Sequence, residues 1–350
     1  MRVLSASEAV SPAIDRTKAV LFKPFRFGRS WKLAATAYLS VMGLLFIPTP
    51  LSILLTPARG GGAFGAFSWL FASVFAILFS LVMFLFFYLG SRLQFVLFAF
   101  VLEGKEMIAP LWGRYRAPNW RWLGLKLILS VAACVVFGIP IGFFFRSFLA
   151  NLPVQPGQPA SPQMLSSLLL LYAFILLPLF VVMLLSSLLS DFVLPSIALE
   201  DATLSDALGR FLQLIKTEPL QMFAFIAFKV LLAIAGAIAM EIAIIVGEIV
   251  AAIPLGLLAF LGSYLFRSSG PLGHMLMVAG AITLGLIFIA FLFYVSLLVV
   301  GTVHIFFQAY ALYFLGGRYP LLGDLLEPPS PDFIRAEPVP PGVPPAPVLS

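Results

Sequence analysis

The 47 residues from Leu220 to Phe266 read LQMFAFIAFKVLLAIAGAIAMEIAIIVGEIVAAIPLGLLAFLGSYLF, and only Lys229, Glu241 and Glu248 interrupt them with formal charge. A helix that is apolar around its whole circumference belongs in a membrane or at the centre of a large core. A crossing takes about 20 apolar residues, so this stretch is too long for one span and awkward for two. With Leu220 at the membrane edge, Glu241 lies roughly 30 Å further along a helix rising 1.5 Å per residue. That places one span over 220–241. The remainder contains Glu248 and the sequence Ile253-Pro254-Leu255-Gly256, which reads as a break. It leaves an extra apolar segment over 249–266: interfacial, re-entrant or a seventh span.

Five further segments reach spanning length on either side, over 33–55, 66–90, 123–145, 165–189 and 275–298. The whole chain of 350 residues is 61% apolar and 10% charged. Soluble domains run at roughly 45–50% and about 25%, and a fold of this size could not hide the excess from water. The expected fold is therefore all-α: a polytopic transmembrane helix bundle of about six spans with amphipathic cytoplasmic surface helices. It divides into an arm over 1–31, the bundle over 32–319 and a Pro-rich tail over 320–350. The polar, mixed-charge first thirty residues do not read as a cleavable signal, so the first span is expected to direct insertion.

Lysine and arginine set the expected orientation, since cytoplasmic loops carry the excess. The arm to Lys32 carries seven and the 92–126 connection six, while the 191–218 connection adds Arg210 and Lys216. The alternate loops hold one each, Arg59, Arg146 and Arg267. Fifteen against three predicts both termini on the cytoplasmic side. The basic side chains nearest that surface, Lys23, Arg26, Arg29, Lys32, Arg114, Arg116 and Arg121, are candidate contacts for anionic lipid.

Two cytoplasmic connections read as surface helices. Ser11-Pro12 is a cap followed by proline at the first helical position, with Val10, Ile14 and Leu21 along one side. Over 203–216, Thr203 and Asp206 form a capping box with aspartate in place of Glu or Gln. Leu204, Leu208, Phe211, Leu212 and Ile215 then follow at helical spacing. The connections also echo each other. Phe95-Val96-Leu97 and Leu102-Glu103 recur as Phe192-Val193-Leu194 and Leu199-Glu200, and Gly113-Arg114-Tyr115 is answered by Gly209-Arg210-Phe211. The expectation is a tandem repeat of helix pairs.

The run from Arg16-Thr17-Lys18 to Ala34, the Asp191-Phe192-Val193-Leu194-Pro195 step and the closing Phe307–Leu315 segment carry a resemblance. They look like a group of bacterial inner-membrane proteins of unassigned function, similar to the membrane domain attached to some glycerophosphodiester phosphodiesterases. The resemblance implies location and architecture, not an activity. No soluble catalytic domain accompanies the bundle here, so phosphodiesterase chemistry is not carried over.

Candidate chemistry is sparse. The single cysteine, Cys134, and two separated histidines, His274 and His304, argue against a disulfide or a nitrogen–sulfur metal cage. Gly60-Gly61-Gly62-Ala63-Phe64-Gly65 satisfies a GxGxxG string without the strand and helix context that a dinucleotide site needs. Ionisable groups within spans are functional candidates, which singles out Lys229, Glu241, Glu248 and His304. Glu241 and Glu248 share a helix face. Lys229, about 18 Å from Glu241 along the axis, is expected to snorkel towards the cytoplasmic edge. His304 reads as part of an aromatic interfacial belt, and Gly138-Ile139-Pro140-Ile141-Gly142 combines small-residue packing with a kink. The loop 151–163 and the tail, with nine prolines in its last 24 residues, read as extended spacers. No cofactor, metal, nucleic-acid partner or enzymatic activity is expected. Lipid, a membrane-protein partner or a second copy is.

Overall fold

The computed structural model describes residues 2–23, 27–42, 63–104, 108–138, 140, 162–266 and 270–327. Among these, 93% are helical and none lies in a strand. The helices in chain order are α1 (Val10–Phe22), α2 (Phe27–Met42), α3 (Ala63–Glu103), α4 (Ile108–Arg114) and α5 (Arg116–Ala133). They continue as α6 (Pro162–Glu200), α7 (Leu204–Thr217), α8 (Pro219–Phe266), α9 (Gly270–Gly316) and α10 (Pro320–Leu326). Five stretches are long and apolar enough to cross a membrane: Leu70–Glu103, Arg116–Gly138, Leu168–Glu200, Pro219–Phe266 and Gly270–Gly316. The expected span over 33–55 begins within α2 and continues outside the described residues. The loop 151–163 and the tail lie largely outside them as well.

The 220–241 span and its separate 249–266 segment merge into one element. Helix α8 runs unbroken for 48 residues with Pro254 inside it, about 72 Å at 1.5 Å per residue. Proline removes one hydrogen bond and crowds the preceding turn. In an apolar setting, however, leaving the helix would strand many more backbone groups without partners, so the helix continues. Helix α9 likewise exceeds the expected 275–298, with 47 residues. The two form an antiparallel hairpin in which Gly236 faces Val303 and Gly247 faces Val295. After α5 the chain widens into a π turn over Cys134–Gly138 ahead of Pro140, a local adjustment that commonly accompanies strained helix geometry.

Burial is concentrated at one end of the bundle, the base. Leu93–Leu102 of α3, Leu188–Ala198 of α6 and Ala309–Gly316 of α9 are buried throughout. These continuous buried runs are the last turns of three long helices, enclosed by the short α1, α4, α7 and α10. Arg92 and Lys126, counted as loop charges in the sequence, therefore lie inside helices and are buried. Gly104 ends α3 at φ +68°, and Asp201 follows α6 at φ 52°. Glycine, and less easily aspartate, tolerates that left-handed conformation.

The arm packs into the base. Ser5 and Glu8 form a reciprocal capping box: the Ser5 amide donates to the Glu8 carboxylate at 2.8 Å, and the Glu8 amide donates to Ser5 Oγ at 3.3 Å. Accordingly α1 starts at Val10, with Ala9 rather than Ser11 at its cap, and Ile14 is exposed while Ala13, Thr17, Val20 and Leu21 are buried. Arg16 donates from Nε to the Val101 carbonyl at 2.8 Å and from Nη2 to the Leu102 carbonyl at 2.7 Å. These are last-turn carbonyls with no intrahelical partner. Removing charge-assisted bonds of this kind costs about 1.5–3 kcal/mol each. Arg16→Ala should lower the melting temperature and open the arm to limited proteolysis, whereas the exposed Lys18→Ala should do neither.

The Thr203–Asp206 cap is present, with the Asp206 amide donating to Thr203 Oγ1 at 3.3 Å. Helix α7 buries Ala207 and Phe211 and leaves Leu212 and Ile215 exposed, with Leu214 taking the inward place.

Candidate functional site

At the base, Lys229 of α8 does not snorkel. Its side chain is 8% exposed and forms an ion pair with Asp191 of α6, itself 6% exposed. Lys229 Nζ also donates to Ser187 Oγ at 2.8 Å and lies 5.9 Å from the centre of the Phe225 ring. The helix brings Phe225 and Lys229 to one face because they are four residues apart. Around the pair stands an aromatic cluster. Phe225 stacks on Tyr310 with centroids 5.1 Å apart and meets Phe314 at 4.5 Å, while Phe192 reaches Phe225 at 5.2 Å. His304 is half-buried on α9, six residues before Tyr310.

Glu241 and Glu248 do not join it. Both are exposed on α8, twelve and nineteen residues beyond Lys229. Asp191, the partner Lys229 does have, falls in the expected 191–218 connection, where a charge ending an apolar string marks the water boundary. In fact α6 continues past it to Glu200. The signal that could have found it is the 97-residue offset of the echo, which sets Asp191 against Gln94.

The surroundings of Gln94 can be set beside those of Asp191. Gln94 Oε1 accepts from Trp122 Nε1 at 2.9 Å and from Lys126 Nζ, and Gln94 Nε2 donates to the Ser40 carbonyl at 3.0 Å. Trp122 and Lys126 are four apart on α5, as Phe225 and Lys229 are on α8. Phe95 stacks on Tyr115 at 5.3 Å and 23°, and Phe192 stacks on Phe211 at 5.4 Å and 23°. Arg114 pairs with Glu103 at 3.1 Å, and Arg210 pairs with Glu200 at 2.7 Å. The hydrogen bond that Arg210 donates to Glu200 raises the Arg210 pKa above its ordinary value. Tyr319 also donates to Glu200, and burial, followed by that hydrogen bond, pushes the Tyr319 phenol up. Each lysine is buried against a polar group of the preceding long helix. One partner is a neutral amide, the other a carboxylate.

Residues 4–325 match a family of unknown function, DUF7544. The chain belongs to that family. No curated protein and no solved structure matches it. The DUF7544 match begins at Leu4, whose carbonyl accepts from Arg318 Nη1 at 3.0 Å, and ends at Leu325 within α10. It therefore takes in the arm and every helix of the base.

The basic residues considered for lipid contact are dispersed in this DUF7544 protein. Lys23, Lys32 and Arg116 are exposed. Arg114 is engaged with Glu103, and Arg121 with Asp201 at 3.0 Å. Arg26 and the side chain of Arg29 lie outside the described residues, as do Gly60-Gly61-Gly62 of the glycine string; Ala63 opens α3. His274 lines a separate cavity near the α8–α9 turn with Tyr264 and Met277. Among the described residues no group of three His, Cys, Asp or Glu side chains could hold a metal ion.

Proposed function

We propose that this chain is a non-catalytic integral membrane protein, a lipid-contacting scaffold or accessory subunit of the bacterial cytoplasmic membrane, with both termini inside. The carrying observation is where its apolar surface goes. In the most apolar eighteen-residue window of α8 none of the residues is buried, and in that of α6 6% are. The base, by contrast, buries whole helical turns. Spans that bury so little of themselves against each other present their side chains to lipid or to another protein's spans, while the base supplies the fold.

The paired contacts of Gln94 with Lys126 and Asp191 with Lys229 support reading the two halves as tandem repeats, and repeats are common among membrane folds. The similarity to the membrane domain attached to some glycerophosphodiester phosphodiesterases remains part of this reading. In the first of its runs Arg16 supplies the arm's clamp, and residues 309–315 of the closing run are a buried wall of the base. A small transporter or lipid carrier using Glu241 and Glu248 is the second reading, set behind because both carboxylates are exposed on α8.

Native mass spectrometry of the protein released from nanodiscs of mixed phosphatidylcholine and phosphatidylglycerol tests the first reading. Retained anionic lipid, a second copy or a co-purifying membrane protein is expected. A bare monomer that keeps no lipid and no partner would overturn it.

A further inference from the structure

The two halves of the base also differ in the length of their short helices. Helix α4 has 7 residues and α7 has 14. The extra two turns of α7, with Arg318 and Tyr319 from the end of α9, wall a cavity of about 240 Å³ beneath the stacked Phe192 and Phe211. Its polar lining comes from Ser196, Arg210, Gln213, Thr217, Arg318 and Tyr319. Every one of these side chains carries a hydrogen-bond donor, and none is a carboxylate. Ser196 stands where the first half has Ala99, by the same offset of 97 that relates Asp191 to Gln94.

The charges behind the lining hold it in shape. Arg210 Nη2 meets Glu200 at 2.7 Å and half of the Arg210 side chain remains exposed, at 47%. Arg318 gives Nε to Glu218 at 2.9 Å and Nη1 to the Leu4 and Phe314 carbonyls, leaving Nη2 outside these bonds. Glu200 and Glu218 do not line the cavity. The Tyr319 hydroxyl is given to Glu200 and that of Thr217 to the Gln213 and Leu214 carbonyls, so the two guanidiniums and the Gln213 amide are the groups that suit a phosphate, whose oxygens only accept. The volume lies below the roughly 300–1,000 Å³ of drug-sized pockets, which favours a small anionic group.

We propose that this cavity binds a phosphate-bearing anion, supplied either as a phospholipid headgroup or as a free phosphate. The proposal rests on the lipid-contact reading and locates one site within it. Two arms separate the sources. Full-length protein in phosphatidylcholine nanodiscs is titrated with inorganic phosphate by calorimetry. Parallel nanodiscs containing phosphatidylglycerol are analysed by native mass spectrometry for retained lipid. Binding in the first arm identifies free phosphate, and retention in the second alone identifies the headgroup.

Either signal should fall about tenfold in Arg210→Gln, the equivalent of one lost charge-assisted contact, and should also fall in Gln213→Glu, which sets a carboxylate against the anion. It should be unchanged in Ser205→Glu, an exposed α7 position outside the cavity. Gln213 is exposed, so its variant tests the site even if Arg210→Gln impairs folding. If all variants bind as wild type does, the cavity assignment is overturned and the lipid-contact reading stands. If wild type takes neither probe and keeps no other lipid or partner, both fall.

Discussion

Replacing Asp191 with asparagine should destabilise the folded protein by about 3–5 kcal/mol, the usual cost of leaving one member of a buried ion pair unpaired. The Lys229 ammonium would keep Ser187 as a hydrogen-bond partner and lose its only carboxylate in the described structure. Lys229→Met should cost a similar amount by stranding Asp191. The double variant Asp191→Leu with Lys229→Met is the informative one. Taking two charges out of water costs several kcal/mol per ion, so apolar replacements of both are often neutral or stabilising. Thermal or denaturant unfolding in detergent should therefore rank the double variant near wild type and both single variants far below. If the double variant retains lipid and partner normally, the pair serves the fold. If it is stable and has lost them, Asp191 and Lys229 belong to the working site. Equal stability of the single variants and wild type would show that the pair does not form.

The second large effect is expected at Gly301. A Cβ on this residue would stand 2.2 Å from the Ala34 carbonyl oxygen and 2.7 Å from the Ala34 Cα and carbonyl carbon. The obstruction is backbone, so no side chain can rotate away, and α2 would have to leave α9. Overpacking usually costs about 1–3 kcal/mol where side chains can yield. Gly301→Val should exceed that range, and Gly301→Ala should already destabilise. The sign is diagnostic, because alanine in a helix is otherwise favoured over glycine by about 1 kcal/mol. Gly280→Ala, in the same helix with nothing within 4 Å of its would-be Cβ, should be neutral or slightly stabilising. Unfolding temperatures of the three variants in detergent decide the matter. Destabilisation by Gly280→Ala equal to that of Gly301→Ala would remove the argument for a close crossing.

Much of the fold was legible in the residues. Apolar length and scarcity of charge point directly to membrane-spanning helices, since both follow from the thickness of the hydrocarbon core. The Thr203–Asp206 cap was readable because capping is local chemistry. The ends of helices were less so: Arg92, Asp191 and Lys126 looked like loop charges because a charge in an apolar string ordinarily marks the water boundary. Here it marks a buried partner instead. Pro254 looked like a break because proline breaks helices exposed to water. In α8 the surrounding apolar chain leaves its backbone no better partner than the helix itself.

The Lys229 site was half legible. Its isolation in an apolar stretch identifies Lys229, while His304 reads as part of an aromatic belt. The partner was not readable, because Asp191 lies 38 residues away on another helix and Glu241 and Glu248 look nearer along the chain. Glu241 is twelve residues distant on the same rod, and a rigid helix keeps such residues apart. Only the packing of α6 against α8 chooses between these carboxylates.

By itself, then, the sequence determined that this chain is helical, that several of its segments are apolar and long enough to cross a membrane, and that Thr203 and Asp206 cap α7. Those properties depend on composition and on neighbours within a few residues. The tertiary structure decided that burial gathers at one end, that Gly301 admits the backbone of Ala34, and that Lys229 pairs with Asp191 rather than with a nearer glutamate. It also decided that two extra turns of α7 close a donor-lined cavity. Each of these depends on contacts between helices far apart in the chain, and no local pattern records the distance across which they meet.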